Sequence, residues 1–137
     1  MKTLEFKTFA YPLTGAAGTA SGLLPAPGGV RRDAAGAATL LHVGPGWFVV
    51  PEPSLELEAA LEALAASGLG VIFDVTGKWQ RLSSGLVAVT RLAAAFDVAA
   101  VMANRECAAV AVLDCPCIVA RRGEEFDCWV LASYAVQ

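Results

Sequence analysis

The chain has 137 residues and a formal net charge of -3, and its composition is 56% hydrophobic and 17% charged. That length fits one domain, and an acidic balance without a basic patch disfavours binding to nucleic acid or another polyanion. No uninterrupted apolar run approaches the roughly 18 residues that a membrane-spanning helix needs.

The apolar content lies above the average of about 45 to 50% for globular domains. A soluble chain with surplus apolar surface often covers that surface with another subunit, so the composition indicates a protein partner. The first residues, Met1–Phe6, lack the continuous apolar region of a signal peptide, which predicts a cytoplasmic protein. Four cysteines in the last third are too few for a secreted disulfide framework, and reduced thiols are expected.

Residues 1–38 are predicted to form an irregular arm, and the folded domain is predicted over residues 39–137. Between Thr14 and Ala38 the chain is rich in Gly, Ala and Pro, with few large apolar side chains to offset the entropy of ordering. Three aromatic residues precede this stretch and could dock onto the domain or onto a neighbour: Phe6, Phe9 and Tyr11.

The first half of the domain predicts a hairpin followed by a helix. Leu40–Val43 and Trp47–Val50 are short apolar runs on either side of a Gly-Pro-Gly turn. Ser54 is a helix N-cap candidate, and the following leucines recur at helical spacing up to the stop at Gly68. A helix is therefore expected over Ser54–Ser67.

The second half predicts further strands and a second helix. Leu69–Val75 is expected to pair antiparallel with Trp79–Ser83, and a helix is expected over about Gly85 to Phe96. Three strands follow, separated by turns at Asp114-Cys115-Pro116 and Arg122-Gly123-Glu124: Cys107–Leu113, Cys117–Ala120 and Phe126–Leu131. Two main helices on a predominantly antiparallel sheet define a ferredoxin-like α+β class.

The sequence offers little material for catalysis. His42 is the only histidine, so a catalytic triad or a two-histidine metal site cannot form within this chain, and a hydrogen-bonded structural role is expected for it. Cys115 and Cys117 lack the usual zinc-ligand spacing, and neither zinc nor a disulfide is predicted. The glycines do not match a phosphate-binding motif. No catalytic residue is assigned.

Asp74 has two interpretations. It follows the apolar run Val71-Ile72-Phe73 and enters a turn, where an aspartate ordinarily bonds backbone amides two residues on, here Thr76. Alternatively, Asp74 and Arg81 belong to a binding pocket. Only the direction of the Asp74 side chain distinguishes the two.

Several weak motifs occur in an order that resembles the gamma subunit of heterotetrameric sarcosine oxidase, over roughly Leu41 to Ala135. They begin with a Gly-Pro-x-Trp strand at Val43–Val50, an Asp-Val-Thr strand end at Asp74–Thr76 and a polar run at Lys78–Arg81. They continue with a Leu-Ser-type helix entry at Leu82–Gly85, a helix exit with aspartate at Ala95–Val98 and a terminal Ser-x-Ala at Ser133–Ala135. This family is in turn similar to folate-binding aminomethyltransferases, which implies an aminomethyltransferase-like fold.

The resemblance implies a non-catalytic accessory subunit of a complex that oxidatively demethylates sarcosine or a related N-methyl amino acid. Its partners would be alpha, beta and delta subunits, and FAD, FMN, NAD, folate and zinc would belong to those partners, with none in this chain. Large aromatics dominate interfaces, so six residues are candidate contacts: Phe6, Phe9, Tyr11, Trp47, Trp79 and Trp129. The alternatives are a stand-alone folate-dependent one-carbon transferase, which needs Asp74 in a pocket, and a homo-oligomeric binding module.

Overall fold

The computed structural model describes residues 2–9, 22–81, 87–88, 97–112 and 115–134. They form two antiparallel sheets. The first has the strand order β2-β3-β4-β1-β5, and the second has the order β6-β10-β9-β8 with β7 also paired to β10. The strands of the first sheet are β1 (Thr3–Thr8), β2 (Val30–Arg32), β3 (Ala38–Gly44), β4 (Trp47–Pro51) and β5 (Gly70–Asp74). Those of the second are β6 (Trp79–Arg81), β7 (Val87–Ala88), β8 (Cys107–Val112), β9 (Cys115–Arg122) and β10 (Glu125–Leu131).

The main helix, α1 (Leu55–Ala66), begins and ends as its sequence predicts. The Ser54 hydroxyl accepts a hydrogen bond from the Leu57 amide at 3.1 Å, which satisfies one of the amides that a helix start leaves unpaired. Gly68 follows the helix with a φ of 86°, the left-handed conformation that glycine adopts without steric cost. Leu57 and Leu61 are buried against the first sheet.

The sheets form layers because inward and outward side chains alternate along each strand. One face of the first sheet packs on α1, with Phe6 and Phe48 fully buried there. The opposite face packs on the second sheet, with Leu41 and Ile118 in the shared core. The outer face of the second sheet holds a third apolar cluster that includes Met102, just after the one-turn helix α2 (Val98–Val101).

The predicted fold class is confirmed: the domain is α+β, and every described strand pairing is antiparallel. The predicted hairpin is present as β3 and β4, and the last three predicted strands are present as β8, β9 and β10. The strands occupy two sheets rather than one. Within the described ranges, no helix is long and apolar enough to cross a membrane.

The prediction of an irregular arm is wrong for two segments of residues 1–38. Thr3–Thr8 is an interior strand that pairs with β4 on one side and β5 on the other, and Val30–Arg32 pairs with β3. Leu4 and Phe6 supply the apolar area that keeps the first segment in the sheet. Residues 10–21 lie outside the described residues.

Three further expectations are corrected. The strand Trp79–Arg81 pairs with β10 and not with the segment Leu69–Val75. The strand within that segment, β5, pairs with β1 instead. Val87 and Ala88, inside the expected second helix, form a strand on β10, while residues 85–86 and 89–96 lie outside the described residues.

The third correction concerns the turn expected at Asp114-Cys115-Pro116. Cys115 and Pro116 begin β9, and Pro116 precedes the first residue that pairs with β10, Cys117. On its other side Pro116 pairs with Ala111 of β8.

Gly70 permits the close approach of β5 to β1. A Cβ at this residue would lie 2.4 Å from the Lys7 carbonyl oxygen and 3.0 Å from the ring of Phe6. Contacts that short with backbone cannot be relieved by a side-chain rotation, so only glycine fits and the register of β5 depends on it.

Two neighbouring phenylalanines test whether β1 belongs to the core. Phe6→Ala should lower the free energy of unfolding by about 3 to 5 kcal/mol because it leaves a cavity in a fully buried site. Phe9→Ala, at a side chain that is 70% exposed, should change it by less than about 0.5 kcal/mol. Urea unfolding of both variants measures the difference, and equal small losses would show that β1 is dispensable.

Candidate functional site: two buried carboxylates and an adjoining cavity

Glu5 lies between the two sheets because of the alternation along β1. Its neighbours Leu4 and Phe6 point toward α1, so Glu5 points to the opposite face, beside Val49 and Phe73 on the flanking strands. The Glu5 side chain is only 2% exposed. A carboxylate in that environment requires hydrogen-bond donors.

Three donors converge on the Glu5 carboxylate. Trp47 Nε1 donates to Oε1 at 2.8 Å, and Trp79 Nε1 donates to Oε2 at 3.1 Å. Lys78 Nζ donates to Oε2 at 2.8 Å while its own side chain remains 41% exposed. Because Trp47 belongs to the first sheet and Trp79 to the second, one carboxylate connects both sheets.

The pKa of Glu5 reflects a competition. Burial alone raises the pKa of the carboxyl, but the hydrogen bonds from Lys78, Trp79 and Trp47 and the charge of Lys78 together lower it below its ordinary value. Glu5 is therefore an ionised structural group at neutral pH, and it is not held as a proton donor.

A second buried carboxylate, Asp127, lies on the inner face of β10. Arg81 Nη2 donates to its Oδ1 at 2.6 Å, and Arg122 Nη1 lies 3.8 Å from the same oxygen. The Asp127 side chain is 3% exposed, whereas those of the two arginines are 37% and 36% exposed. The guanidinium of Arg81 also lies 5.9 Å from the ring centroid of Trp129.

A cavity of about 420 Å³ adjoins these two groups and is lined from both sheets, with Thr3 and Pro51 from the first and Trp79, Arg81 and Trp129 from the second. A smaller cavity of about 70 Å³ shares Pro51, Arg81 and Trp129 with it and is also lined by Asp33 and Asp127. The Arg81 side chain therefore lines both cavities, and its hydrogen bond to Asp127 holds it in place.

Glu52 also lines both cavities, and its backbone is unusual. Its φ is 51°, in the left-handed region that non-glycine residues rarely adopt. Its amide donates to the Lys2 carbonyl at 3.2 Å, which holds this conformation against β1. Backbone strain of this kind is concentrated at binding sites.

The structure separates the two predicted pocket residues. Arg81 lines both cavities, but Asp74 Oδ1 accepts hydrogen bonds from the Thr76 amide at 3.0 Å and the Thr76 hydroxyl at 2.6 Å. These bonds to its own turn lower the pKa of the exposed Asp74 carboxyl. Asp74 is thus a turn-capping residue, and the transferase alternative loses the pocket carboxylate that it requires.

The candidate interface residues fall into two groups. Phe6, Trp79 and Trp129 are buried within this domain, so the expectation that they contact a partner is wrong for the domain as folded. Trp47 is half-buried, and Phe9 is 70% exposed. Tyr11 lies outside the described residues.

Sequence reasoning missed Glu5 and Asp127. Each acid stands between large or buried neighbours in an extended run, Leu4-Glu5-Phe6 and Phe126-Asp127-Cys128. The available signal was an acid at an inward-facing position of a strand, which requires a buried donor. The tryptophans that donate to Glu5 are distant in sequence, so no local pattern identifies them.

His42 is a buried structural residue. Its ring lies 4.0 Å from that of Phe48, and its Nδ1 lies 3.0 Å from the Pro25 carbonyl oxygen. Burial lowers its pKa, with hydrogen bonding to backbone carbonyls opposing that shift. These contacts agree with the structural role that the sequence predicts.

None of the four cysteines forms a disulfide in the structure. Burial raises the pKa of Cys107 to about 12. Cys117 and Cys128 face the same cluster on adjacent strands, but they are diagonal neighbours, because Cys117 is opposite Val130. The two thiols are in hydrogen-bond contact, and this contact lowers the pKa of Cys128 although burial opposes the shift. Among the described residues, no group of three potential ligands is arranged for a metal.

The fold and site define a two-sheet α+β domain with a buried carboxylate network and an adjoining cavity. The same fold occurs in a chain of the heterotetrameric sarcosine oxidase from Corynebacterium sp. U-96, with a TM-score of 0.66 and 20% sequence identity. The match covers 98% of this chain and 73% of that chain. No family model matches the sequence, and no curated protein matches it.

The Glu5 network predicts a specific pH dependence. The folded-state pKa of Glu5 is lowered, so its stabilisation is complete above about pH 4.5 and is lost as the pH falls through the folded value. Glu5→Gln should therefore cost about 1 to 3 kcal/mol at pH 7 and progressively less toward pH 2.5. Urea unfolding across that range, with exposed Glu62→Gln as the control, measures it, and a cost independent of pH would contradict the assignment.

The thiols should differ in reactivity according to exposure. Cys115, the only described cysteine that is half-buried, should react first with a thiol reagent at pH 8, whereas buried Cys107 should react only on unfolding. Mass spectrometry of the labelled peptides gives the order. Fewer than four free thiols in the unfolded, non-reduced chain, or equal rates for these two cysteines, would contradict this prediction.

Proposed function

We propose that this chain is a non-catalytic accessory subunit, of the gamma type, in a sarcosine oxidase-like flavoenzyme complex. The observation that carries the proposal is the shared fold over 98% of this chain with a component of a heterotetrameric sarcosine oxidase. The order of the motifs between Leu41 and Ala135 supports the gamma assignment. The complex would oxidatively demethylate sarcosine or a related N-methyl amino acid in the cytoplasm.

The chemistry of the described site supports an accessory role. Glu5 and Asp127 are both ion-paired, and Asp74 caps its own turn, so none of these carboxylates is placed as a general base. The proposal assigns the flavins, NAD, folate and zinc to the alpha, beta and delta subunits. This chain would contribute contact surface and stability to the assembly.

A surface for such a contact lies on the first sheet. Lys7 Nζ lies 5.8 Å from the ring centroid of Trp47 and 5.9 Å from that of Phe73. Phe73 is 46% exposed and Phe9 is 70% exposed. These four residues form what we call the aromatic patch. Aromatic residues are enriched at the cores of protein interfaces, and we propose the patch as the contact with a larger subunit.

Co-purification with cognate subunits tests the proposal. Replacing Phe9 and Phe73 together with alanine should reduce recovery of the complex at least tenfold, because exposed aromatics carry much of the binding energy at an interface. The melting temperature of the isolated chain should stay within about 2 °C, since neither side chain is in the core. Leu55→Ala, at an 86% exposed residue of α1, is the matched control.

Activity assays of the isolated chain provide a second arm. The purified chain should retain no flavin and should produce no hydrogen peroxide from sarcosine. Flavin-dependent turnover by this chain alone would overturn the accessory assignment. Full assembly of the double variant would overturn only the role of the aromatic patch, and self-association without the other subunits would favour the homo-oligomeric alternative.

A further inference from the structure

Three of the four cysteines lie together on the outer face of the second sheet. Cys115 and Cys117 are two residues apart on β9, so their side chains point to the same face. Cys117 and Cys128 belong to the apolar cluster on that face, and Cys115 packs against it. Cys107 lies in the core between the two sheets instead. The fold therefore separates a group of three thiols from a single thiol elsewhere.

The strand pairing brings Cys117 and Cys128 close to each other. The Arg121 amide donates to the Glu106 carbonyl at 2.7 Å, and since alternate residues of β9 bond to β8, the backbone groups of Cys117 also point to β8. Toward β10, Cys117 and its partner Val130 are therefore a non-hydrogen-bonded pair, the kind in which side chains approach most closely. The right-handed twist of neighbouring strands shortens one diagonal across such a pair. The contact between the thiols of Cys117 and Cys128 shows that theirs is the short diagonal.

The surroundings of the thiols differ in ways that affect their chemistry. Contact with Cys117 lowers the pKa of Cys128, although burial opposes the shift. Burial raises the pKa of half-buried Cys115, and it raises the pKa of Cys107 to about 12. The thiolate is the nucleophilic form of cysteine, so of these three thiols Cys128 is the best prepared to react with an oxidant. Hydrogen peroxide is scarcely larger than water and reaches thiols that a bulky alkylating reagent does not.

We propose that Cys117 and Cys128 are a redox modification site, at which a hydroperoxide converts the two neighbouring thiols into a reversible disulfide that links β9 to β10. The Cys128 thiolate attacks one peroxide oxygen, the O–O bond breaks, and a sulfenic acid forms while hydroxide leaves and is protonated to water. The Cys117 thiol then attacks the Cys128 sulfur, the S–S bond forms, and a second water leaves. The two thiols lose two electrons and two protons, and hydrogen peroxide is reduced to two molecules of water.

The site changes state with its surroundings, because the reduced chain contains no disulfide. The inference concerns the thiols of this chain and does not rest on the accessory role. Thiol oxidation is measured on the isolated chain, and assembly is measured by co-purification. Either can fail without the other.

Treatment of the folded, reduced chain with a small excess of hydrogen peroxide tests the proposal. After unfolding and alkylation, the number of free thiols should have fallen from four to two, and the intact mass should be lower by two hydrogen atoms. Dithiothreitol should restore all four thiols. Four remaining thiols after treatment, or oxidation that dithiothreitol does not reverse, would overturn the proposal.

Peptide mapping identifies the linked pair. Cleavage after Arg121 separates the cysteines of β9 from Cys128, and cleavage before Asp114 separates them from Cys107. The peptide 114–121 should be linked to the peptide that contains Cys128, and Cys107 should be recovered in alkylated form. Oxidation of Cys107 as fast as that of Cys128 would contradict the assignment.

Variants decide which cysteine of β9 takes part. Cys117→Ala should abolish the link to Cys128, whereas Cys115→Ser, at the half-buried thiol two residues away, is the matched control and should keep it. Cys128→Ala should slow the loss of thiols at least tenfold, because it removes the thiolate that reacts first. A link that persists in Cys117→Ala and is lost in Cys115→Ser would refute the proposal, and the map of the unsubstituted chain tests it even if a core variant fails to fold.

Discussion

The ionised carboxylate of Glu5, buried between two sheets, is the interaction on which the rest of this domain depends. Its desolvation is unfavourable, and three donors offset that cost: two indole N–H groups and the Lys78 ammonium. Each donor belongs to a different part of the fold. Trp47 is on β4, Lys78 is in the connection between the sheets, and Trp79 begins β6. Loss of the carboxylate would leave two buried indole N–H groups without this acceptor.

The same network determines where the cavity lies. Lys78 and Trp79 follow directly from β5 through the turn that Asp74 caps, so the chain crosses from one sheet to the other at the residues that bind Glu5. Two residues later, Arg81 reaches Asp127 and makes a second connection, within the second sheet. The cavity lies where these two carboxylate clusters and the left-handed backbone of Glu52 meet. A rigid domain with a preformed cavity is suited to ligand binding and to assembly with other subunits.

Local sequence signals predicted local structure well. The Ser54 cap, the leucine stripe and Gly68 identified α1, and the Gly-Pro-Gly turn identified the β3 and β4 hairpin. Pairing between distant segments was not predictable, because β1 meets β5 across more than sixty intervening residues and no local pattern encodes that register. For the same reason the role of Glu5 was not predicted, because its hydrogen-bond donors are 42 to 74 residues away in the sequence. Of the two residues expected at a pocket, Arg81 lines the cavity, whereas the direction of the Asp74 side chain follows from its turn.

The central claim is that one carboxylate holds Trp47 and Trp79 from opposite sheets, and NMR of the indole N–H groups tests it directly. On acidification, the Hε1 signals of Trp47 and Trp79 should shift together with a single midpoint below the ordinary pKa of glutamate, and both shifts should be absent in Glu5→Gln. The Trp129 signal should not follow them. Independent midpoints for Trp47 and Trp79, or the same shifts in Glu5→Gln, would contradict the account.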